Sequence, residues 1–292
     1  MPKSVNEQIE DFFKQYWPWL AAAAGGVGAA VLAKRIFFSG SLFVIVIENH
    51  GYSQTIGNAN LPYLNQLANQ YAICTNYGQR WHPSLPNYLV MTSGQDWGIR
   101  DDGLHLIDTG GQDLFAQMMS AGIPARSYAE SMGTPCRRSD TSVFATRHVP
   151  ALYYKSVVNS GSCQYKVVDL SQLPGDLASN AVRYAFITPN LQNDWHDGSA
   201  AQLDAWLSQW VQLIMQSPGY QNGGCIVVVA DEDDSGEGRL PCVVISERLK
   251  QHPMADNTPY DHRSLCALAQ DFLGLPRLAA TQGVPSLMSM LG

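Results

Sequence analysis

Two continuous apolar runs, both rich in β-branched residues, most constrain how this chain can fold. They are Leu42–Ile47 (LFVIVI) and Cys225–Ala230 (CIVVVA). Apolar side chains at both odd and even positions indicate strands buried on both faces, which is typical of parallel sheets covered by helices. Shorter runs at 125–129, 184–188 and 242–245 also predict strands. The sequence therefore predicts an α/β domain with a mainly parallel central sheet flanked by helices.

Amphipathic helical patterns separate these strands, as an α/β domain requires. Apolar residues recur at helical spacing in 62–72, 112–121 and 199–216, and Ser264 is predicted to cap a last helix. We see no internal repeat and no linker after residue 40. Residues 41–292 are therefore predicted to form one domain, with an irregular insertion near 131–180.

The charge balance restricts the class of partner. The chain of 292 residues has 18 Lys and Arg against 25 Asp and Glu, a formal net charge of −7, and 46% hydrophobic residues. This composition excludes disordered, collagen-like and coiled-coil classes. Nucleic acid is not an expected partner, because neutralising its phosphates requires clusters of Lys and Arg.

Residues 1–40 differ from the rest of the chain. An amphipathic segment precedes residues 15–33, which carry no charge and lie between Lys14 and the pair Lys34-Arg35. As a helix this span would be about 28 Å long, close to the thickness of a hydrocarbon core. A retained membrane anchor is favoured, and a cleaved signal peptide or a soluble helix are the alternatives. Small residues spaced by four along the span would let a partner helix in the membrane approach closely.

The six cysteines show no C-x-x-C spacing, so a structural zinc site is not expected. Cys136 and Cys163 lie in loop-like sequence. A disulfide between them stays open at this point, and export of the domain would favour it. The other cysteines are interpreted as small buried hydrophobic residues.

Polar residues follow directly after three predicted strands. The segments are Glu48-Asn49-His50, Asp194-Trp195-His196-Asp197 and Asp231-Glu232-Asp233-Asp234. Ligands of open α/β sheets bind at the carboxyl ends of the strands. Acidic groups gathered there repel one another unless a cation lies among them. Taken singly, each segment is also compatible with helix capping or exposure to water. Together they indicate a divalent cation, with histidine widening the choice to Zn, Fe or Mn.

The segment from His82 to Tyr88 contains a candidate nucleophile, Ser84. Pro86 is tolerated only in the first turn of a helix, which places Ser84 at or next to its start. Backbone N–H groups and a positive dipole at that end favour a phosphate or a developing alkoxide. An ordinary capping serine is the alternative. The Gly-x-Ser-x-Gly elbow of α/β-hydrolases is absent.

Five segments in this order carry a resemblance to a known family. They are Ile47–His50, His82–Tyr88, Phe186–Asn190 with Asp194–Asp197, Asp231–Asp233, and Asp261–Leu265. Together they resemble the phosphoesterase family of bacterial acid phosphatases and phospholipases C, within the alkaline phosphatase superfamily. Arg147-His148-Val149-Pro150 also resembles a family segment. The resemblance spans residues 42–275 and implies an alkaline phosphatase-like fold.

The resemblance also implies roles for individual residues. Ser84 matches the nucleophile that is phosphorylated, and His196 or His262 would protonate the leaving group. The implied metal ligands are Glu48, Asn49, Ser84, Asp231 and Glu232. The implied substrate contacts are His82, Asn87, His148 and Asp194. In two-metal members of the superfamily, the positions of Asp194, His196 and His262 hold a second ion.

The implied activity is metal-dependent hydrolysis of phosphoric esters through a phosphoserine, with monoesters favoured. Phosphodiesterase or phospholipase C activity, and an inactive subunit of a membrane complex, are the alternatives. The substrate would be a phosphorylated small molecule or a phospholipid head group, and the ion Ca, Mg, Mn, Fe or Zn. Ser84-Leu85-Pro86-Asn87-Tyr88 lacks the Arg of the sulfatase signature, so formylglycine chemistry is not expected. The catalytic domain is expected to be membrane-anchored through residues 15–33 and to lie in the periplasm or outside the cell.

Overall fold

A computed structural model of the chain describes residues 40–78 and 81–292. By its internal contacts, Gly40–Gly292 forms one compact unit. The predicted anchor at 15–33, and the amphipathic segment before it, lie outside the described residues. Within the described ranges, no helix combines the length and the apolar character needed to span a bilayer.

Eight strands form one sheet, in the spatial order β4-β3-β5-β1-β6-β7-β2-β8. The first five strands in this order run parallel, whereas β7 is antiparallel to both of its neighbours. The sheet is therefore mixed, with a parallel majority, and the predicted α/β class is confirmed. The strands are β1 (Leu42–Ile47), β2 (Ala72–Cys74), β3 (Ala125–Ala129), β4 (Val167–Asp169), β5 (Tyr184–Thr188), β6 (Cys225–Ala230), β7 (Cys242–Ile245) and β8 (Met254–Asp256).

The two apolar runs occupy the centre of the sheet. Strand β1 pairs with β6 along its whole length, from Leu42 opposite Cys225 to Ile47 opposite Ala230, and both strands are buried throughout. All five predicted strands are present. The sequence analysis missed β2, β4 and β8, which have three residues each and lie at or next to the edges of the sheet. Three residues are too few to show a period in the sequence.

The described residues contain ten α-helices, and the longest of them cover the sheet in pairs. Helix α8 packs on α2, and α10 packs on α3. The helices are α1 (Tyr52–Thr55), α2 (Pro62–Gln70), α3 (Ser84–Ser93), α4 (Leu114–Ser120), α5 (Lys155–Val158), α6 (Cys163–Lys166), α7 (Leu173–Ala178), α8 (Ala200–Met215), α9 (Pro218–Gln221) and α10 (His262–Leu273).

The start of α10 differs from the prediction. Asp261, not Ser264, is the residue that caps this helix, and its carboxylate accepts a hydrogen bond from the Arg263 N–H at 2.8 Å. The Ser264 hydroxyl returns the contact by accepting the Asp261 N–H at 3.2 Å. A capping box with its acidic member at the N-cap therefore begins the helix three residues earlier than predicted.

The predicted insertion at 131–180 consists of short elements, among them α5 to α7 and β4. A disulfide joins Cys136 to Cys163, with their Cα atoms 5.5 Å apart. This pairing had been left open by the sequence. The bond ties the loop after β3 to the start of α6.

Candidate active site

Three acidic residues meet at the carboxyl ends of the central strands, as predicted. Glu48 follows β1, Asp231 follows β6, and Asp194 follows β5 by a short loop; all three are fully buried. The backbone N–H of Glu48 donates to the Asp194 carbonyl at 3.0 Å, and that of Asn49 donates to Asp231 Oδ1 at 3.1 Å. Asn49 has φ of 59°. Asparagine tolerates this left-handed conformation better than most residues, which lets the chain turn just after the strand.

Ser84 lies among these acids. It is the first residue of α3 and is buried, and its Oγ donates to Glu232 Oε1 at 2.9 Å and faces Glu48 Oε2 at 3.4 Å. The helix start is less open than predicted, because the N–H of Leu85 donates to Asp102 Oδ1 at 3.0 Å. Asp102 comes from the segment after α3, and the sequence analysis did not single it out.

Several buried polar atoms at this edge have no hydrogen-bond partner. They are Asn49 Oδ1, Asn87 Oδ1, His148 Nε2, Asp194 Oδ2 and Asp231 Oδ2. Leaving a buried donor or acceptor unpaired costs about 1–3 kcal/mol, and such groups are rare in folded proteins unless a function retains them. Oxygen and imidazole donors that converge without partners fit a cation and the anionic ligand that it would hold.

His148 joins two of the acids in a potential metal triad. One ligand atom from each of Glu48, His148 and Asp194 lies within 4.8 Å of the others. His148 Nε2 is 3.4 Å from Glu48 Oε2, and His148 Nδ1 is 3.5 Å from Asp194 Oδ2. The family resemblance predicts His148 and Asp194 as substrate contacts, with Asp194 also at a position that holds a second ion in two-metal members. Their position beside Glu48 instead offers a mixed nitrogen and oxygen site, a donor set that suits several divalent metals.

Burial and mutual repulsion raise the pKa values of the three acids that follow the strands. Burial, with Asp231 and Asp194 nearby, raises the pKa of Glu48 well above its usual value. Burial, followed by the charge of Glu232, raises the pKa of Asp231 to about 7. The pKa of Asp194 is raised for the same first reason. Without a cation the edge therefore holds like charges that oppose one another, and a divalent ion among them would relieve this repulsion.

Tyr88 ends the segment His82–Tyr88 but is not among the site residues that the sequence predicts. Its hydroxyl donates a short hydrogen bond to Glu48 Oε1, and its ring stacks on His148 with centroids 5.2 Å apart and planes 9° apart. The signal in the sequence is its position one helical turn after Ser84, which places both on the same face of α3. Tyr88 thus orients two members of the triad.

Both carboxylate oxygens of Glu232 contact other side chains of the protein. Oε1 accepts from Ser84, and Oε2 is in short contact with His82 Nδ1 and lies 3.5 Å from Asn87 Nδ2. The His82 side chain is 56% exposed, and its Nε2 lies 3.1 Å from Asp234 Oδ1. The hydrogen bond to Glu232 raises the pKa of His82. His82 is therefore a partly exposed residue of the site, two positions before the buried serine.

His262 contacts the backbone of one of the acids and not the serine. It is fully buried, its Nε2 donates to the Asp231 carbonyl at 2.6 Å, and its Nδ1 lies 3.1 Å from the Tyr77 hydroxyl. Both ring nitrogens are therefore engaged by the protein. This arrangement favours holding the Asp231 backbone over the predicted transfer of a proton to a leaving group.

His196 lies nearer the rim. Its backbone N–H donates to Asp194 Oδ1 at 2.7 Å, and its Nδ1 lies 2.7 Å from Asp197 Oδ1. Its Nε2 is 3.2 Å from a guanidinium nitrogen of Arg147. Since a guanidinium only donates hydrogen bonds, Nε2 accepts and Nδ1 carries the ring proton.

Known proteins of similar sequence include two phosphatases. The phosphatidylinositol-3-phosphatase of Mycobacterium tuberculosis is 27% identical over 279 residues, which cover 94% of this chain and 89% of that protein. An acid phosphatase of Aspergillus fumigatus is 25% identical over 249 residues, covering 81% of this chain. The match spans only 55% of that fungal protein.

A solved structure and a family model also match this chain. The solved structure of an alkaline phosphatase superfamily protein from Vibrio parahaemolyticus superposes with a TM-score of 0.58 and 10% identity, over 97% of this chain and 78% of that one. At this identity the likeness shows the fold alone. Residues 54–276, well over half of the chain, match the model of the Phosphoesterase family. The chain therefore belongs to the Phosphoesterase family and is a hydrolase that acts on phosphoric ester bonds.

Proposed function

We propose that this protein is a metal-dependent phosphomonoesterase that works through a phosphoserine at Ser84. The observation that carries the proposal is the buried Ser84 hydroxyl, 2.9 Å from Glu232 Oε1 and surrounded by acids with unpaired oxygens. The relative named as an acid phosphatase supports monoester hydrolysis. The relative named as a phosphatidylinositol-3-phosphatase supports a phospholipid head group, beside a small phosphorylated molecule, as the substrate.

We place the cation next to Glu48. Asn49 and Asp231 would hold it on one side, and His148 and Asp194 on the other, because each of these four side chains has an unpaired buried atom. When bound, a divalent cation neutralises charge and polarises a phosphoryl oxygen. Ser84 and Glu232, the other ligands that the sequence predicts, already hydrogen-bond each other in the structure.

The proton of Ser84 has a direct path. As Ser84 Oγ forms a bond to phosphorus and the alcohol leaves, Glu232 Oε1 at 2.9 Å accepts the hydroxyl proton. His82 contacts the second oxygen of Glu232 through Nδ1, and its Nε2 lies 3.1 Å from Asp234. Because the side chains of His82 and Asp234 are both exposed, unlike His262 and its partners, a substrate can displace this second contact. We therefore place His82 as the donor of a proton to the departing alcohol. Water then attacks the phosphoserine and gives one proton to His82. The phosphorus–Ser84 Oγ bond breaks, inorganic phosphate leaves, and the proton on Glu232 returns to Ser84 Oγ.

Replacing the nucleophile tests the proposal. Ser84→Ala is expected to lower kcat for 4-nitrophenyl phosphate by at least about 10³-fold, as expected for loss of a covalent nucleophile. Ser93→Ala removes a hydroxyl from the other end of the same buried helix, so it controls for packing and should stay active. Quenching the wild type during turnover should give a peptide that carries phosphate on Ser84. Wild-type rates in Ser84→Ala would refute the phosphoserine mechanism.

The diesterase alternative is tested with bis(4-nitrophenyl) phosphate under the same conditions. A monoesterase should hydrolyse 4-nitrophenyl phosphate with the higher kcat/KM. The reverse order would assign the protein to the phosphodiesterase or phospholipase C branch.

We also propose that the catalytic domain is exported, because the Cys136–Cys163 disulfide is a bond that persists in oxidising compartments. Alkylating the protein from cells without prior reduction should leave both cysteines unlabelled. Full labelling of both would contradict export.

A further inference from the structure

The acidic edge needs a positive group that can meet the charge of its substrate. Glu48, Asp194, Asp231 and Glu232 are all buried there. A phosphomonoester adds nearly two further negative charges at neutral pH, because its second pKa lies near 6. A diester adds one. Side-chain cations at this edge therefore bear directly on which ester can bind.

A series of contacts leads outward from the buried Ser84. Ser84 Oγ lies 3.4 Å from Glu48 Oε2, and His148 Nε2 is also 3.4 Å from that oxygen. The ring of His148 in turn faces the ring of His196, with centroids 6.0 Å apart. This path leads from the buried serine to the rim.

Arg147 connects His196 to a second series of contacts that leads back towards Ser84. Its guanidinium donates to His196 Nε2 at 3.2 Å, and its Nε lies 3.7 Å from Asp102 Oδ2. Asp102 accepts the N–H of Leu85, the residue next to Ser84. The contacts therefore return to the residue next to the nucleophile, which places Arg147 within the network of contacts around Ser84.

The guanidinium of Arg147 is held more loosely than other arginines of the fold. Arg263 grips Asp261 through Nε at 3.0 Å and a terminal nitrogen at 2.7 Å. Arg277 grips Asp271 in the same way, at 2.8 Å for both nitrogens. Arg147 makes one side-chain hydrogen bond within the described residues, its carboxylate neighbour is 3.7 Å away, and its side chain is 20% exposed. Most of its five donors are therefore available to a ligand.

We propose that Arg147 binds the non-bridging phosphoryl oxygens and makes the site select phosphomonoester dianions over diester monoanions. An arginine fork matches two oxygens of one phosphoryl group, and its charge-assisted hydrogen bonds are about twice as strong as neutral ones. A diester has one anionic oxygen fewer to offer. This assignment rests on the proposed function, since it names the substrate class of the same site.

The experiment compares Arg147→Gln, Arg147→Lys and a matched control, Arg137→Gln. Arg137 is another arginine of the same region, and its Nε donates only to the Ser139 carbonyl at 2.9 Å. Values of kcat/KM for 4-nitrophenyl phosphate and bis(4-nitrophenyl) phosphate are measured for each protein. Binding of inorganic phosphate is measured by calorimetry on the metal-loaded protein, which needs no turnover.

Arg147→Gln should lower kcat/KM for the monoester about 10²–10³-fold, the usual loss when one donor to a developing charge is removed. The diester rate should fall less than about tenfold, because one phosphoryl charge fewer depends on the fork. Phosphate binding should weaken at least about tenfold, with partial recovery in Arg147→Lys, which keeps the charge and loses the fork. Arg137→Gln should behave as the wild type.

Equal losses for both esters, or unchanged phosphate binding in Arg147→Gln, would overturn the assignment. A wild type that hydrolyses neither ester would instead remove the proposed function. The calorimetric comparison still decides in that case whether Arg147 binds phosphate.

Discussion

Two groups of buried carboxylates in this fold differ in how their oxygens are used. Asp204 on α8 accepts the N–H groups of Tyr63 and Leu64 at the start of α2, at 3.0 and 2.9 Å. Asp194 and Asp231 each keep one oxygen without any hydrogen-bond partner and face other acids. The first kind of acid caps a helix and stabilises packing. The second kind destabilises the folded protein, because a buried oxygen has no hydrogen-bond partner. Such an oxygen is expected where a bound ligand would supply the missing contact.

Asp113 sharpens this contrast. It caps α4 by accepting the Ala116 N–H at 2.7 Å, and its second oxygen accepts the hydroxyls of Thr109 and Ser156 at 2.6 and 3.1 Å. Burial raises the pKa of Asp113, just as it raises that of Asp194. A raised pKa therefore does not separate structural acids from functional ones here. What distinguishes Asp194 and Asp231 from Asp113 is that each keeps one oxygen without a hydrogen-bond partner.

Asp231→Asn is expected to have the largest effect on activity. Removing one ligand charge should lower kcat/KM for a phosphomonoester at least about 10³-fold, since metal polarisation is worth several kcal/mol. In a chelator, the same variant should unfold at a higher temperature than the wild type, because one of the opposed charges is gone. The comparison uses initial rates together with calorimetric melting. A variant that is both less active and less stable without metal would place Asp231 with the structural acids.

Metal removal is expected to have the next largest effect. A divalent ion present at 100 times its Kd stabilises the folded state by about 2.7 kcal/mol. The wild type should therefore lose this amount of unfolding free energy in a chelator, as measured by denaturant titration. Asp194→Asn should lose less, because a weakened site has less metal stabilisation to give up. Identical wild-type curves with and without chelator would show that no cation occupies this edge.

Asp204→Ala tests the structural group. It leaves two backbone N–H groups at a helix start without their acceptor, so the unfolding free energy should fall by about 1–3 kcal/mol. Its kcat/KM should stay within about twofold of the wild type, because both carboxylate oxygens of Asp204 accept backbone N–H groups of α2 and not a group of the candidate site. Denaturant titration and initial rates measure the two quantities. A large loss of activity in the folded variant would show that Asp204 also has a functional role and is not a purely structural acid.

Much of this molecule follows from the sequence, and the parts that do not have physical reasons. The strands β1 and β6 were predicted with their observed bounds, because a continuous apolar run of six residues has few alternatives. The meeting of Glu48, Asp194 and Asp231 followed from the rule that parallel strands share a carboxyl edge. Arg147 and Asp102 could not be found in this way. Their importance depends on contacts between distant loops, and no local period or spacing records such contacts.

The smallest predicted effect concerns Tyr88, whose role can be tested against that of a structural tyrosine, Tyr128. Tyr88 donates to Glu48 in the site, and Tyr128 donates to Asp176 at 2.7 Å in a structural pair. Replacing either tyrosine by phenylalanine removes a hydrogen bond worth about 1 kcal/mol of stability. Only Tyr88→Phe should also weaken the affinity for a divalent cation, by about tenfold, because a partner that orients a ligand is lost while the ring stacked on His148 remains.

Calorimetric titration of the metal-free proteins separates these two consequences. If Tyr88→Phe and Tyr128→Phe lose equal stability and bind the cation equally well, then Tyr88 merely satisfies a buried acid, as Tyr128 does. If affinity falls only in Tyr88→Phe, the hydroxyl positions Glu48 for the cation. The distinction between structural and functional carboxylates then also applies to the tyrosines that bond them. Tyr128 stabilises a contact that is complete within the protein, whereas Tyr88 positions Glu48 for a ligand.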